Sequence, residues 1–445
     1  MFKHIFLLIF CLSITAEAAD KVTILTGASI IDARHDGVIT DQTIVIQGDK
    51  ILDVTDSVSF DISAYPSANI KDMSGTYIMP GLVDSHVHLA TMANAKWAEA
   101  MLERYIFSGI TTVRDMAGDA RLLADLKRRL MVDEIAGPNL YFSALMAGPS
   151  FYNDPRPKAS AMGETPGEIA WMQAITNKTD MKTAVARAKG TYASGIKIYA
   201  NLKAEQVSAI VSQAKRQNFP VWAHSMVFPA LPSQVISTGL SSISHVCRLA
   251  FEISAVKPKE YHHKIQLDYT KLPIDHPRYN QIFATMIKNG TVLDATVRLY
   301  GEIEAYAAAH ADTYTKPICP AEYAYRLTGA AMDAGVLISA GTDGTTAPTD
   351  DYPALWQEIE MLQDRVGMTP HQAITAATLN GAKILGLDNV QGTIEAGKNA
   401  DFIVLKENPL DTVANIKSLI ETYKSGVEYA REGFTPSPAL ASERN

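Results

Sequence analysis

The stretch Ile78–Ala90, IMPGLVDSHVHLA, starts as an apolar, strand-like run and ends in Asp84, Ser85, His86, Val87 and His88. Residues two apart on a strand share a face. His86 and His88 therefore stand side by side where a buried run gives out. Neutral imidazole nitrogens suit a divalent metal, but an isolated pair reads equally well as two satisfied surface histidines. What decides between them is how the other strands end.

Further apolar runs follow in order: TTVRD, NLYFSAL, GIKIYA, FPVWAH, SSISH, TVLDATV and GVLISAGTD. Amphipathic stretches separate most of them, such as Ala95 to Phe107, Ala120 to Met131 and Ala204 to Gln217. Eight strands alternating with helices fit an α/β fold of the (β/α)8 TIM-barrel type, whose usual size is about 250 residues. A doubly wound open sheet would carry a glycine-rich fingerprint after its first strand, and none is present.

Both flanks of this region read differently. VTILTGASII and GVITDQTIVIQGDKILDV alternate and turn at Gly-Asp, as hairpins do. Near the other end, VQGTIEAGKNADFIVLKENPL and LIETYKSGVEY return to strand and turn. Late strands pairing with early ones predict a small β-sandwich domain built from residues 19–76 and 390–436. The barrel then takes 77–389, and 437–445 is a tail. MTPHQAITAATLNGAKILGL reads as one helix, capped by Thr369 with Gln372 and ended by Gly386. Two long connections, Met146 to about Asp180 and Arg248 to about Asn289, follow barrel strands. Such inserts fall on the catalytic face, so PSFYNDPRPK and Trp171 are placed to form a lid or a surface excursion.

Composition narrows the function classes. A formal charge of -8 leaves no basic excess to neutralise phosphates, which excludes nucleic acid as the main partner. Residues 1–18 combine Lys3, an apolar core from Ile5 to Ile14, and Ala16-Glu17-Ala18. This is the pattern of a cleavable export signal. It predicts a periplasmic or secreted protein with no membrane attachment after cleavage. Cys11 leaves with that segment, and an oxidising compartment permits, without requiring, a bridge between Cys247 and Cys319.

The decisive pattern lies at the strand ends. Lys197 sits between isoleucines in GIKIYA, where a charged amine is costly unless neutralised or paired. His224 closes FPVWAH, His245 closes SSISH and Asp343 closes GVLISAGTD. In a barrel, the C-terminal ends of the strands converge on one site.

Taken together, PGLVDSHVHL, the lysine of GIKIYA, His224, His245, GTD at Asp343, ATLNGAKILGL and GTIEAGKNADFIVL resemble the amidohydrolase superfamily of metal-dependent hydrolases. The nearest branch holds imidazolonepropionase-like enzymes and Xaa-Pro dipeptidases. The resemblance implies two divalent ions, zinc or alternatively manganese, cobalt or iron. His86, His88 and Asp343 would hold one, and His224 and His245 the other. A carboxylated Lys197 would bridge them. It further implies hydrolysis of an amide or peptide bond in a small-molecule substrate, a dipeptide or N-acyl amino acid, by metal-activated hydroxide, with Asp343 as catalytic proton shuttle. The same site would also serve a lactone or an organophosphate triester. A non-catalytic metal-binding protein on an inherited barrel ranks below both, because all six ligands are present. For substrate contacts the candidates are Tyr199, which shares the face of Lys197, and Arg298 and Tyr300 after the seventh strand. AHSMVFPALP and SHVCRLAFE depart from the dipeptidase pattern after the histidines and put Xaa-Pro specificity in doubt.

Overall fold

The run that opened the reading is divided by Gly81. In the computed structural model, which describes residues 22–92, 94–347 and 349–442, Tyr77–Pro80 and Leu82–Val87 are separate strands in separate sheets. The expected single strand YIMPGLVD is thus two. Gly81 has no side chain because there is no room for one: a Cβ there would lie 2.2 Å from Thr111 Oγ1. The chain can pass from one sheet to the other only with its backbone pressed against the neighbouring strand.

Leu82–Val87 begins a barrel of eight parallel strands. The others are Ile110–Asp115, Asn139–Ala147, Gly195–Ile198, Val221–His224, Ser242–Ser244, Val292–Asp294 and Ile338–Ser339. Each pairs in parallel with the next. First and last strands meet through Ser85 N–H to Ala340 C=O at 3.0 Å and Asp343 N–H to His86 C=O at 2.8 Å. Helices cover the outside, and short polar side chains start several of them. Asn94, Asp119 and Asp180 each accept a backbone N–H in the first turn of Ala95–Ile106, Ala120–Met131 and Met181–Lys189, which removes one of the orphan donors at a helix start.

The helix expected over 370–385 is interrupted. It forms Pro370–Ala376, capped by Thr369 and Gln372, and Leu379–Leu385, ended by Gly386 at φ +71°. The break falls where two carbonyls serve the barrel: Ala376 C=O accepts from Ala340 N–H at 3.1 Å, and Ala377 C=O from Val83 N–H at 2.7 Å. Turning these carbonyls toward the barrel seam takes them off the line of a continuing helix ladder.

The second sheet is mostly antiparallel and comes from both chain ends. Val22–Ile31, Val38–Gln47 and Lys50–Asp56 form a meander, and Tyr77–Pro80 joins it to Phe402–Leu405, Leu419–Lys424 and Val427–Ala430. Leu25, Ile44, Ile46, Ile78, Phe402 and Val404 fill its core. No helix among the described residues is long and apolar enough to cross a membrane. The export signal expected over 1–18 lies outside the described residues.

Candidate metal centre

His86 lies in the first barrel strand, with His88 just beyond it. Lys197 is in the fourth strand, His224 ends the fifth, His245 follows the sixth and Asp343 follows the eighth. The fold brings them to one cavity of about 520 Å³, which all six line. Ligand atoms of His86, His245 and Asp343 lie within 4.8 Å of one another. His88 Nε2 is 3.0 Å from Asp343 Oδ1. The His224 ring sits 4.9 Å from that of His245, and Lys197 Nζ is 3.2 Å from Ser244 Oγ.

Hydrogen bonds settle which nitrogen His86 and His245 present. His86 Nδ1 is 2.7 Å from Asp294 Oδ2. An ionised carboxylate only accepts, so Nδ1 carries the proton and Nε2 keeps its lone pair. Thr296 donates its hydroxyl proton to the Ala295 carbonyl at 2.8 Å, so its oxygen accepts from His245 Nδ1 at 3.1 Å. That leaves His245 Nε2 facing Asp343 as well, at 3.8 Å. Burial, reinforced for His224 by the Arg248 charge, keeps His224 and His245 neutral far below the ordinary imidazole range. Burial works against the Asp343 carboxylate, but His86, His88 and His245 hold it well below the usual carboxylate range. Buried Lys197 is pushed down to about 7, with Arg114 adding to the effect and Asp294 opposing it.

Asp294, which ends the seventh strand, is the hub that the sequence reading missed. Its Oδ2 accepts from His86, from Ser244 Oγ at 2.8 Å and from Arg114 Nη2 at 3.2 Å. Arg114, fully buried, is fixed further by Ser85 C=O and Ser242 Oγ. Gly341 makes this packing possible, because a Cβ there would lie 2.2 Å from Asp294 Oδ1. The available signal was an acidic side chain inside the apolar run TVLDATV. The argument already applied to Lys197 covers it. Backbone strain gathers here too. His245, Thr296 and Asp343 hold φ at +73°, +53° and +45°, in the left-handed region that non-glycine residues rarely adopt. Ser225 supports the first by donating its hydroxyl to the His245 carbonyl at 2.7 Å.

The donor set fits divalent cations. It comprises imidazole nitrogens, three of them on rings that burial keeps neutral, a carboxylate held ionised, and an amine whose charge is suppressed. The Nδ1 atoms of His88 and His224 are buried without a protein partner. Nitrogen and oxygen donors without sulfur suit zinc and equally manganese, cobalt or iron.

The candidate substrate residues divide. Tyr199 lines the cavity, its ring 4.0 Å from that of His224, and its hydroxyl accepts from Arg156 Nη1 at 3.0 Å. Tyr300 also lines it and accepts the Cys247 N–H at 3.3 Å. Arg298 is not part of the lining. Its guanidinium is taken up by Gln357 at 2.6 Å, Glu302 at 3.0 Å and the Thr345 carbonyl at 3.3 Å. Both long connections supply cavity wall: Phe151, Arg156 and Met172 from the first, Arg248, Tyr261 and Lys264 from the second. Cys247 and Cys319 form a disulfide, Cα to Cα 6.3 Å, and both sulfur-bearing residues face the cavity rim.

Comparison with known proteins agrees with this geometry. Ochratoxinase of Aspergillus niger is 26% identical over 94% of this chain and 88% of its own. The 5-methylthioadenosine/S-adenosylhomocysteine deaminase of Bacillus cereus is 21% identical over 86% of this chain and 85% of its own. Among solved structures, a Xaa-Pro dipeptidase with bound methionine in the active site superposes with a TM-score of 0.70 at 22% identity. That match covers 92% of this chain and all of the other. The Amidohydrolase family matches residues 77–253 and 271–428, a span that takes in every one of the six strand-end residues. The chain belongs to the amidohydrolase family.

Proposed function

We propose that this hydrolase of carbon–nitrogen bonds acts on the amide or peptide bond of a small N-acyl amino acid or dipeptide, with two divalent ions at the strand ends. The observation that carries the proposal is the meeting of four histidines, Asp343 and Lys197 at one cavity, with ligand atoms of His86, His245 and Asp343 within 4.8 Å of one another. His86, His88 and Asp343 would hold one ion, His224 and His245 the second. Lys197, once its neutral amine has taken up carbon dioxide and released a proton, would bridge the pair. When bound, such ions supply Lewis acidity for the scissile carbonyl and make water a nucleophile at neutral pH.

The chain itself does the rest. Asp343 is held ionised, so one of its carboxylate oxygens can take a proton from the attacking water and return it to the leaving nitrogen. Asp294 fixes His86, and Thr296 fixes His245, so both rings keep Nε2 aimed inward. Tyr199 lines the cavity beside His224, its ring 4.0 Å from the imidazole. Named relatives support amide chemistry, since one is a dipeptidase by its title. A periplasmic or extracellular setting is part of the proposal, and the Cys247–Cys319 bridge supports it.

The test is metal analysis of the purified protein with a panel of N-acyl amino acids and dipeptides. Two equivalents of metal, amide cleavage, and loss of both on chelation are expected. Turnover of lactones or phosphotriesters without any amide cleavage would overturn the substrate assignment.

A further inference from the structure

The cavity wall above the metal ligands carries four cations, Arg156, Arg248, Lys264 and Lys316, and among the described residues only Arg156 has an ion pair. Arg156 is bonded through Nε and Nη2 to Asp154, at 3.0 and 2.9 Å. Arg248 and Lys264 form no ion pair with a carboxylate among the described residues, although Lys264 feels the Asp154 charge at longer range; both lie against aromatic faces. The Arg248 guanidinium lies 5.6 Å from the centre of the Phe228 ring and 5.3 Å from that of Tyr261. Lys264 Nζ lies 3.9 Å from the Tyr261 ring centre.

A cation left against two rings is partly stripped of water without a carboxylate at ion-pair distance. Arg248 lines the same cavity as His224, His245 and Lys197. Its position is also built. Arg248 is three residues beyond His245 in the turn Val246–Glu252. Its neighbour Cys247 is tied to Cys319 through the disulfide and to Tyr300 through its N–H. A stacked guanidinium presents its remaining edge as a planar fork, the shape that matches a carboxylate.

We propose that Arg248, seconded by Lys264, is the recognition site for a free carboxylate on the substrate, the α-carboxylate of the amino acid on the amine side of the scissile bond. Tyr261 holds the two cations at this height. The inference rests on the amide-hydrolase reading and adds to it the feature of the substrate that selects it. Arg298, named from the sequence as a candidate substrate contact, has its guanidinium engaged elsewhere.

The experiment uses the full chain with divalent metal supplied and two substrates, an N-benzoyl amino acid and its carboxamide, with benzoate release as the readout. The free acid is expected to show a kcat/KM about 100-fold above the carboxamide, the scale of a charge-assisted bidentate contact. In Arg248→Gln that ratio should fall close to one, and Arg248→Lys should keep part of it. Equal cleavage of acid and carboxamide by the unaltered enzyme would leave the amide-hydrolase reading intact and overturn the clamp. If neither is cleaved, the hydrolase reading loses its support, and equilibrium binding of the N-benzoyl amino acid decides the clamp by itself. Binding that weakens at least tenfold in Arg248→Gln upholds it. Binding that the substitution leaves unchanged, or no binding at all, overturns it.

Discussion

At the floor of the cavity almost every charge is tied to a neighbour, whereas on the wall Arg248 and Lys264 lie against aromatic faces with no carboxylate at ion-pair distance among the described residues. Asp294 alone receives His86, Ser244 and Arg114, and the surrounding backbone is held in three left-handed conformations. On the wall of the same cavity, Arg248 rests on Tyr261 and Phe228, and Lys264 on Tyr261. The floor lies on strand ends of a rigid barrel, and the rim lies on the connections between strands. Chemistry that must not move is built on the first, and recognition that varies between relatives is left to the second.

The comparison breaks most sharply at Asp343. Asp343→Asn keeps the shape but removes the proton carrier, and kcat in the metal-supplied enzyme should fall about 1000-fold. Retention of a tenth of the activity would show that the floor does not carry the chemistry. Next comes Asp294→Ala, which strands the buried Arg114 charge and frees the His86 ring. Removing one partner of a buried pair costs about 3–5 kcal/mol. Urea denaturation should show that loss, and a change below about 1 kcal/mol would mean the hub is dispensable.

A smaller, pH-dependent effect belongs to Lys197. Burial lowers its amine from 10.5 to about 7. Between those values the unfolded chain binds a proton that the folded chain does not, so the metal-free protein gains stability as pH rises through that window. Below about 7 the full penalty is present. Melting temperature against pH should show the rise, and Lys197→Met should flatten it. The smallest effect is at the rim. Tyr261→Phe removes the hydroxyl that accepts from Arg156 at 3.3 Å but keeps the ring under both cations. KM should change by about threefold with kcat nearly constant, since one exposed-side hydrogen bond contributes about 1 kcal/mol. A large fall in kcat would move Tyr261 from the rim to the floor.

This division also explains what could be read from the sequence. Strand ends are marked by an apolar run that stops at a polar side chain, so His86, Lys197, His224, His245 and Asp343 stood out. Asp294 carried the same mark in TVLDATV and needed only the same argument. Arg248, Tyr261 and Lys264 carried none, because an irregular connection has no periodicity to show which side chains turn inward. Arg298 pointed the wrong way for a related reason: nothing in its neighbours revealed that Gln357 and Glu302 would claim it. The helix break at Ala377 was equally hidden, since local propensity favours one helix and only the barrel seam asks for those carbonyls.

The bridge between Cys247 and Cys319 spans 72 residues of chain. It ties the residue beside Arg248 to a segment that folds much later in the sequence, and it leaves the strand ends untouched. Protein made in a reducing host should therefore assemble its ion site normally while admitting substrate poorly. A preparation judged sound by its metal content alone could then pass as intact with its entrance unlatched.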